Sequence, residues 1–340
     1  MRKPSIINVI FESYLKSLMR KKHFFGALIG LLLLLNPSCS PVRKVQEKGV
    51  EKEYKTKYVV VLVIDGPRYT ETFGDTSCQY IPKMGKELVK EGTLFTQFMN
   101  NGKTFTTAGH TAITTGVYQS ITNGGKQLPD NPSMFQYYLK EKAIDKSKAW
   151  LISSKGKLEV LANTKRKNKK WWNVYMPSSY CGPKGNSSDY EGDSKTFAKV
   201  EEVFTTYSPN LTLINLLAVD VYGHANNWGA YLESLKKCDD YADRIWKLIQ
   251  ANPLMKDQTA LFITNDHGRH LDGVKDGFVS HGDHCEGCKH ISLLAMGPDF
   301  KQGATISTPA EMTDISQTIA ELLHFSMPTS NGRVLTELFR

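Results

Sequence analysis

The chain has 340 residues, 40% of them hydrophobic, and a formal net charge of +9. A chain of this length can bury a large core, either in one domain with an insertion or in two domains. Most of the positive charge lies before residue 58, where 12 Lys and Arg residues stand against 4 Asp and Glu, so the rest of the chain is nearly neutral. Charge and composition therefore argue against dedicated nucleic-acid binding, and we expect no nucleic-acid partner.

The first 39 residues have the features of an export leader. Basic residues at 20–22 precede an apolar run over 24–35, which is too short to span a bilayer comfortably. The string Asn36-Pro-Ser-Cys39 then resembles a relaxed bacterial lipoprotein cleavage box. We predict a leader over 1–39 and lipidation of Cys39, which would hold an exported protein at a periplasmic or outer membrane surface. Plain secretion after cleavage and an uncleaved anchor are the alternatives.

Residues 40–57 are polar and rich in Lys and Glu, which predicts a flexible tether. Continuous apolar runs then predict strands buried on both faces, at 57–64, 149–152, 211–219, 260–264 and 291–297. Apolar residues at intervals of three and four predict helices over 82–91, 133–141, 230–249 and 314–323. This alternation predicts the α/β fold class, with a catalytic domain over 58–340.

Three carboxylates follow three of the predicted strands: Asp65, Asp220 and Asp266. Open α/β sheets bind ligands at the carboxyl ends of their strands, so these side chains are expected at one edge. His224 lies four residues after Asp220, an offset that places both on one face of a helical turn.

Two further imidazoles accompany these acids. His267 follows Asp266 directly, and the bend that Gly268 permits would let both bind one metal. The string His281-Gly282 supplies the third imidazole. Nitrogen and carboxylate ligands without thiolates suit two zinc ions, with manganese, iron or calcium on weaker grounds.

A candidate nucleophile lies between the first two carboxylates. The string Thr106-Thr107-Ala108-Gly109-His110 places a hydroxyl at a bend of small residues. A bound cation lowers the pKa of a hydroxyl that it coordinates, which would make Thr106 a competent nucleophile near neutral pH.

Taken in order, these strings resemble the alkaline phosphatase superfamily, in particular its nucleotide pyrophosphatase/phosphodiesterase-like and single-domain alkaline phosphatase branches. The resemblance runs from Tyr58 to about Arg340 and implies a doubly wound, mostly parallel sheet with helices on both faces and a small inserted lid. It implies that Thr106 is phosphorylated during turnover. It also implies two metal sites, one formed by Asp65, Thr106, Asp266 and His267 and the other by Asp220, His224 and His281.

The sequence departs from the family pattern at two places, and one metal ligand has alternatives. Ala108 stands where relatives often have proline, and the nearest match to a phosphate-binding asparagine is Asn123. His284 and His290 lie close to His281, which we prefer as the ligand because its His-Gly string matches the family.

Lys155 and Lys157 resemble the Lys-x-Arg pair that monoesterase relatives use on phosphate oxygens. Residues from about 155 to 200 are expected to form the inserted lid. We therefore expect an exported two-metal hydrolase acting on a small phosphate ester, with monoesters favoured. A type I phosphodiesterase or nucleotide pyrophosphatase is the first alternative, and a phosphomutase or a non-catalytic metal-binding protein the next. The oligomeric state stays open.

Two other motifs have competing interpretations. The basic run 165–170, followed by Trp171-Trp172, is more simply a solvated insertion than an anion-binding surface. The string Cys285-Glu-Gly-Cys288 suggests a third metal site, but a lone CxxC in an exported protein is at least as consistent with a short-loop disulfide.

Overall fold

A computed structural model describes residues 52–184 and 189–340. The predicted leader, the lipidation site Cys39 and the first part of the tether lie outside these residues. Among the helices of the described residues, none combines the length and the apolarity needed to cross a bilayer.

A mixed, mostly parallel sheet forms the centre of the domain. Its strands are β1 (Tyr58–Ile64), β2 (Gly92–Met99), β3 (Ala149–Ser153), β4 (Ser178–Cys181), β5 (Leu211–Leu216), β6 (Thr259–Asn265), β7 (His290–Met296), β8 (Ala304–Ile306) and β9 (Ala310–Glu311). Their order across the sheet is β4-β3-β5-β1-β6-β7-β2-β8, with β9 also paired to β2. Strand β7 runs antiparallel to both of its neighbours, β6 and β2. The five strands β4, β3, β5, β1 and β6, which are adjacent in that order, pair in parallel.

Helices pack on both faces of this sheet. They are α1 (Thr106–Thr115), α2 (Met134–Lys142), α3 (Asp193–Tyr207), α4 (Ala218–His224), α5 (Trp228–Ala251), α6 (Glu286–Lys289) and α7 (Asp314–Leu322). Alternate residues of β1 belong to two separate cores, Val59, Val61 and Val63 to one and Val60, Leu62 and Ile64 to the other. Helices α2 and α7 cover the first core, and α3 and α5 cover the second. The predicted α/β fold class, with helices on both faces, is confirmed.

The structure differs from the sequence-based elements in several places. The strand predicted over 211–219 ends at Leu216, because α4 begins at Ala218. Asp193 accepts hydrogen bonds from the backbone N–H groups of Leu217 (2.8 Å) and Ala218 (3.0 Å) at this helix start. Asp220 is therefore in the first turn of a helix rather than directly at a strand end. The helix predicted over 82–91 is a π turn over Lys83–Glu87 followed by a 3-10 turn over Leu88–Glu91.

The predicted tether extends too far toward the C-terminus. Tyr54 and Thr56 are buried, and Tyr54 donates a hydrogen bond to Glu321 at 2.8 Å. Thr56 is fixed to Asp299 through both its backbone N–H and its hydroxyl. These contacts make residues 54–57 part of the folded domain.

The segment predicted as a lid, about 155–200, contributes to the sheet itself. Strand β4 pairs with β3 in parallel at the sheet edge, and Leu158 and Leu161 are buried in the first core. Within the basic run, Lys165 and Lys167 form ion pairs with Asp130. Whether part of this segment moves over a substrate stays a prediction.

Helix α1 approaches the carboxyl end of β6 at Gly109. A Cβ atom on Gly109 would lie 2.3 Å from the backbone oxygen of Asp266. We expect Gly109→Ala to lower the free energy of unfolding by roughly 1–3 kcal/mol, because the clash is with backbone and outweighs the gain in helix propensity. Gly124→Ala is the control, since no described heavy atom lies within 4 Å of its added Cβ. Urea denaturation of both variants measures the effect, and equal stability of the two would contradict the close packing.

Candidate active site

The register of the sheet brings two carboxylates together. Ile64 pairs with Asn265 across β1 and β6, so the next residues, Asp65 and Asp266, emerge side by side at the carboxyl edge. Both side chains are fully buried. The edge that the sequence predicts as a ligand site therefore holds two adjacent acids in a dry environment.

Asp65, Asp266 and His267 form a first candidate metal-binding cluster, in which one potential ligand atom from each residue lies within 4.8 Å of the others. Backbone N–H groups of Gly66 and His267 both donate to Asp266 Oδ1 at 3.1 Å. The Nδ1 of His267 lies 2.9 Å from the carbonyl oxygen of Gly268, so it carries the proton and leaves Nε2 with a lone pair.

Two buried atoms of this cluster, His267 Nε2 and Asp266 Oδ2, have no hydrogen-bond partner among the residues that the structure describes. Buried polar atoms are nearly always satisfied, and a divalent cation would satisfy both of these. Burial lowers the pKa of His267 to about 3, so the ring is neutral, as a metal ligand must be. The residues therefore fit a metal ion.

Asp220, His224 and His281 meet beside this cluster. His224 Nε2 lies 3.3 Å and His281 Nε2 lies 3.4 Å from Asp220 Oδ1, and the two Nε2 atoms are 3.0 Å apart. The Nδ1 of His281 is 2.8 Å from the carbonyl oxygen of Thr104, so its Nε2 also carries a lone pair toward the site. His284 is exposed. The geometry places His281, the preferred histidine, with the other predicted ligands.

Thr106 is the first residue of α1; it contacts Asp65 of the first cluster and lines the same cavity as the second. Its Oγ1 is 3.5 Å from Asp65 Oδ1 and 3.3 Å from Lys155 Nζ, and the side chain is buried. The N-terminus of a helix favours negative charge, which suits both an alkoxide and a phosphoryl group.

A cavity of about 390 Å³ opens onto Thr106. Its walls include Asn123, Lys155, Lys157, Asp220, His224, His281 and Tyr190. Lys157 donates to the Asn123 oxygen at 3.1 Å, and that oxygen also accepts the Thr107 N–H at 3.0 Å. All three residues predicted to bind phosphate thus line the same cavity as the predicted nucleophile.

Comparison with known proteins identifies the family of this chain. Residues 59–270, more than half of the chain, match the model of the family described as type I phosphodiesterase / nucleotide pyrophosphatase. The chain belongs to this family.

Similar proteins place this family member in a wider group. A phosphopentomutase from Carboxydothermus hydrogenoformans is 27% identical to this chain over 154 residues. These residues are 45% of this chain and 35% of that enzyme, so the chain spans about a third of the length of that curated relative. A Vibrio parahaemolyticus protein of the alkaline phosphatase superfamily has a similar structure, with a TM-score of 0.62, 16% identity and coverage of 85% of this chain and 72% of that one. The wild-type alkaline phosphatase PafA gives a TM-score of 0.62 at 13% identity, over 84% of this chain and 99% of that one. The fold is of the alkaline phosphatase type.

The structure places three further residues beside this candidate site, for which the sequence analysis gave no role. Arg269 is fully buried and its guanidinium Nη1 lies 2.6 Å from Asp220 Oδ1. Asn215 donates to Asp65 Oδ2 at 3.1 Å and contacts His110 Nε2, also at 3.1 Å. The Nδ1 of His110 lies 3.3 Å from Asp266 Oδ2. Asn215 carried a signal, since it is an amide side chain within a strand that is otherwise Leu, Ile and Thr.

The negative charges of the buried acids are neutralised to different extents by their neighbours. Burial raises the pKa of Asp65, and the neighbouring Asp266 raises it further. Burial also acts to raise the pKa of Asp220, but the ammonium of Lys155 and the two nearby imidazoles outweigh it and hold that pKa well below its usual value. Lys155 Nζ contacts Asp220 Oδ2 at 2.6 Å and Asp65 Oδ1 at 2.9 Å. A divalent cation at this edge would therefore share Asp220 with Lys155 and Arg269.

The two neighbouring histidines allow a direct test of the ligand set. We expect His281→Ala to lower the bound divalent metal by one equivalent, because it removes a lone pair that faces Asp220. The matched control His284→Ala removes an exposed ring from the same loop and should leave the metal content unchanged. Elemental analysis after gel filtration measures both. A loss in the His284 variant with full metal content in the His281 variant would move the ligand to His284.

Proposed function

We propose that this chain is a metal-dependent phosphoric ester hydrolase that works through a phosphothreonine intermediate on Thr106. The observation that supports it most is the position of the Thr106 hydroxyl, which is buried at a helix N-terminus, 3.5 Å from Asp65 and 3.3 Å from the Lys155 ammonium. A hydroxyl held between an acid and an ammonium is well placed to react or to bind an ion. The ligand clusters on both sides of it support the hydrolytic role.

In the proposed reaction, Thr106 Oγ1 attacks the phosphorus of an ester bound in the cavity and loses its proton to solvent, while the bond from phosphorus to the leaving oxygen breaks and that oxygen takes a proton from solvent. Water then attacks the phosphothreonine, releases phosphate and restores the hydroxyl. Two divalent cations, most simply zinc, held by Asp65, Thr106, Asp266 and His267 and by Asp220, His224 and His281, would stabilise charge on the transferred group and lower the pKa of the threonine hydroxyl. Lys155, Lys157 and Asn123 would orient the non-bridging phosphate oxygens.

The two lysines favour a monoester substrate. A monoester dianion carries one more negative charge than a diester, and Lys155 and Lys157 both line the cavity next to Thr106. Burial, together with the adjacent Lys155 ammonium, lowers the pKa of Lys157, which fits a group awaiting an anion. We therefore place monoesters first among small phosphate esters.

A phosphodiesterase is the second candidate, because the matching family is named for that activity and for nucleotide pyrophosphatase. A phosphomutase is the last candidate enzyme, because one relative is a phosphopentomutase, although the chain spans only about a third of that relative's length. A non-catalytic metal-binding role is disfavoured, since it would not require a buried hydroxyl between the two clusters.

The proposed location is the bacterial periplasm or outer membrane. The basic and apolar leader and the Cys39 box support export and lipidation, which would tether the folded domain to a membrane. The basic run over 165–170 needs no nucleic acid to explain it, because two of its lysines pair with Asp130.

Removing the proposed nucleophile tests the mechanism. We expect Thr106→Ala to lower hydrolysis of an aryl phosphate monoester by roughly 10⁴-fold or more in zinc-loaded protein, because the covalent route is lost. Thr107→Ala is the matched control, since its buried hydroxyl has no hydrogen-bond partner within the described part of the chain and truncation should change turnover little. Steady-state kinetics with measured metal content give the comparison. Near-normal turnover by the Thr106 variant would refute the assignment.

A second variant tests the substrate class. Each lost charged hydrogen bond costs about 1.5–3 kcal/mol, which is roughly 10–100-fold in rate. We expect Lys155→Ala/Lys157→Ala to lower kcat/KM for an aryl phosphate monoester much more than for the matching aryl diester. Equal losses on both substrates, or a wild-type chain that prefers the diester, would favour the phosphodiesterase instead.

A further inference from the structure

A second group of metal-binding side chains lies outside the proposed active site. It comprises His270, Asp283, Cys285 and Cys288, and one ligand atom from each lies within 4.8 Å of the others. Ligands of a tetrahedral zinc ion are separated by roughly 3.3–3.8 Å, given bond lengths of about 2.0–2.3 Å. The four side chains are therefore gathered close to the geometry that zinc requires.

The imidazole of His270 is already oriented for such a role. Its Nδ1 lies 3.0 Å from Asp276 Oδ1 and its Nε2 lies 3.1 Å from Asp283 Oδ2. A carboxylate that accepts the Nδ1 proton fixes the ring and directs the Nε2 lone pair, as in many zinc-binding histidines. The spacing between Nε2 and Asp283 Oδ2 is close to that of two ligands on one zinc ion.

The cysteines complete a four-donor set. Cys288 is buried, Cys285 is partly buried, and both thiols are free. The single turn of α6 brings these two residues, three apart, to one side. The Cys285 N–H donates to Asp283 Oδ1 at 2.9 Å, which leaves Asp283 Oδ2 directed at His270. A disulfide would use both thiols but would leave the convergence of His270 and Asp283 unexplained.

The charges of the side chains around the cluster are compatible with a bound zinc ion. Two thiolates and one carboxylate around Zn²⁺ leave one negative charge, and the Lys275 ammonium lies 2.5 Å from Asp283 Oδ2. The charge of the remaining acid, Asp276, is spread over hydrogen bonds to His270 and Ser280. With zinc bound, the ion, its four ligands, Asp276 and Lys275 would together carry one net negative charge.

We propose that these four residues bind a structural zinc ion, closed to substrate, that fixes the loop carrying His281. That loop is joined to the segment before the nucleophile at two points, because His281 Nδ1 donates to the Thr104 carbonyl (2.8 Å) and the Thr104 hydroxyl donates to the Asp283 carbonyl (2.6 Å). At its other end, the Gly268 N–H donates to the Cys288 carbonyl at 2.8 Å. Zinc at this site would therefore hold the active-site loop at both ends.

Cobalt substitution tests the site in the full chain. Cobalt bound to thiolates shows intense sulfur-to-metal charge-transfer absorption, whereas the proposed active site offers only nitrogen and oxygen ligands. We expect this absorption in the wild-type protein and its loss in Cys285→Ser/Cys288→Ser, together with the loss of one equivalent of zinc. Cys78→Ser, which removes a partly exposed thiol elsewhere, should retain both.

Two further measurements keep the result decisive if the double variant does not fold. The wild-type cobalt spectrum needs no variant, and Cys285→His should keep the zinc equivalent because it replaces one ligand by another. Absence of thiolate charge transfer in reduced wild-type protein would overturn the proposal, as would a Cys285–Cys288 disulfide in the freshly isolated chain by intact mass. Neither result depends on hydrolytic activity, so the active-site proposal stands or falls separately.

Discussion

Burying three carboxylates at one sheet edge is the constraint on which the rest of this structure depends. Asp65, Asp220 and Asp266 are each at most 5% exposed, and isolated charges are costly to bury. The fold answers with the ammonium of Lys155, the guanidinium of Arg269 and backbone N–H groups that donate to Asp266. Because this arrangement suits cations, it also suits the divalent metals of the proposed reaction.

The order and direction of the strands fix the positions of these charged groups. Strands β3, β5, β1 and β6 are adjacent and parallel, so residues just beyond their last paired positions meet at one edge. Lys155 follows β3, Asp65 follows β1, and Asp266 follows β6. Helix α1 can bring Thr106 to this edge only because Gly109 lets its backbone pass directly against Asp266. Packing and chemistry therefore constrain the same residues.

The strands that could be predicted were those buried on both faces, because continuous β-branched runs such as the one in β1 leave few alternatives. The elements that were missed include strands β2, β4, β8 and β9 and helices α1, α3 and α6. Strand β2 has Thr96 and Gln97 within it and lies toward the sheet edge, where the apolar pattern is weaker. The end of β5 was also placed too late, because Asp193, distant in sequence, caps the helix that follows.

By itself, the sequence determined the kind of chemistry. Short strings with three acids, three histidines and a threonine specify a phosphoryl-transfer family, because the type of each donor and its glycine neighbours can be read locally from the sequence. Tertiary structure alone decided how these donors are neutralised and grouped. The pairing of Arg269 with Asp220 and the bridge by Asn215 between Asp65 and His110 both depend on contacts between segments far apart in the chain. Such contacts follow from strand order and register, which no local pattern encodes.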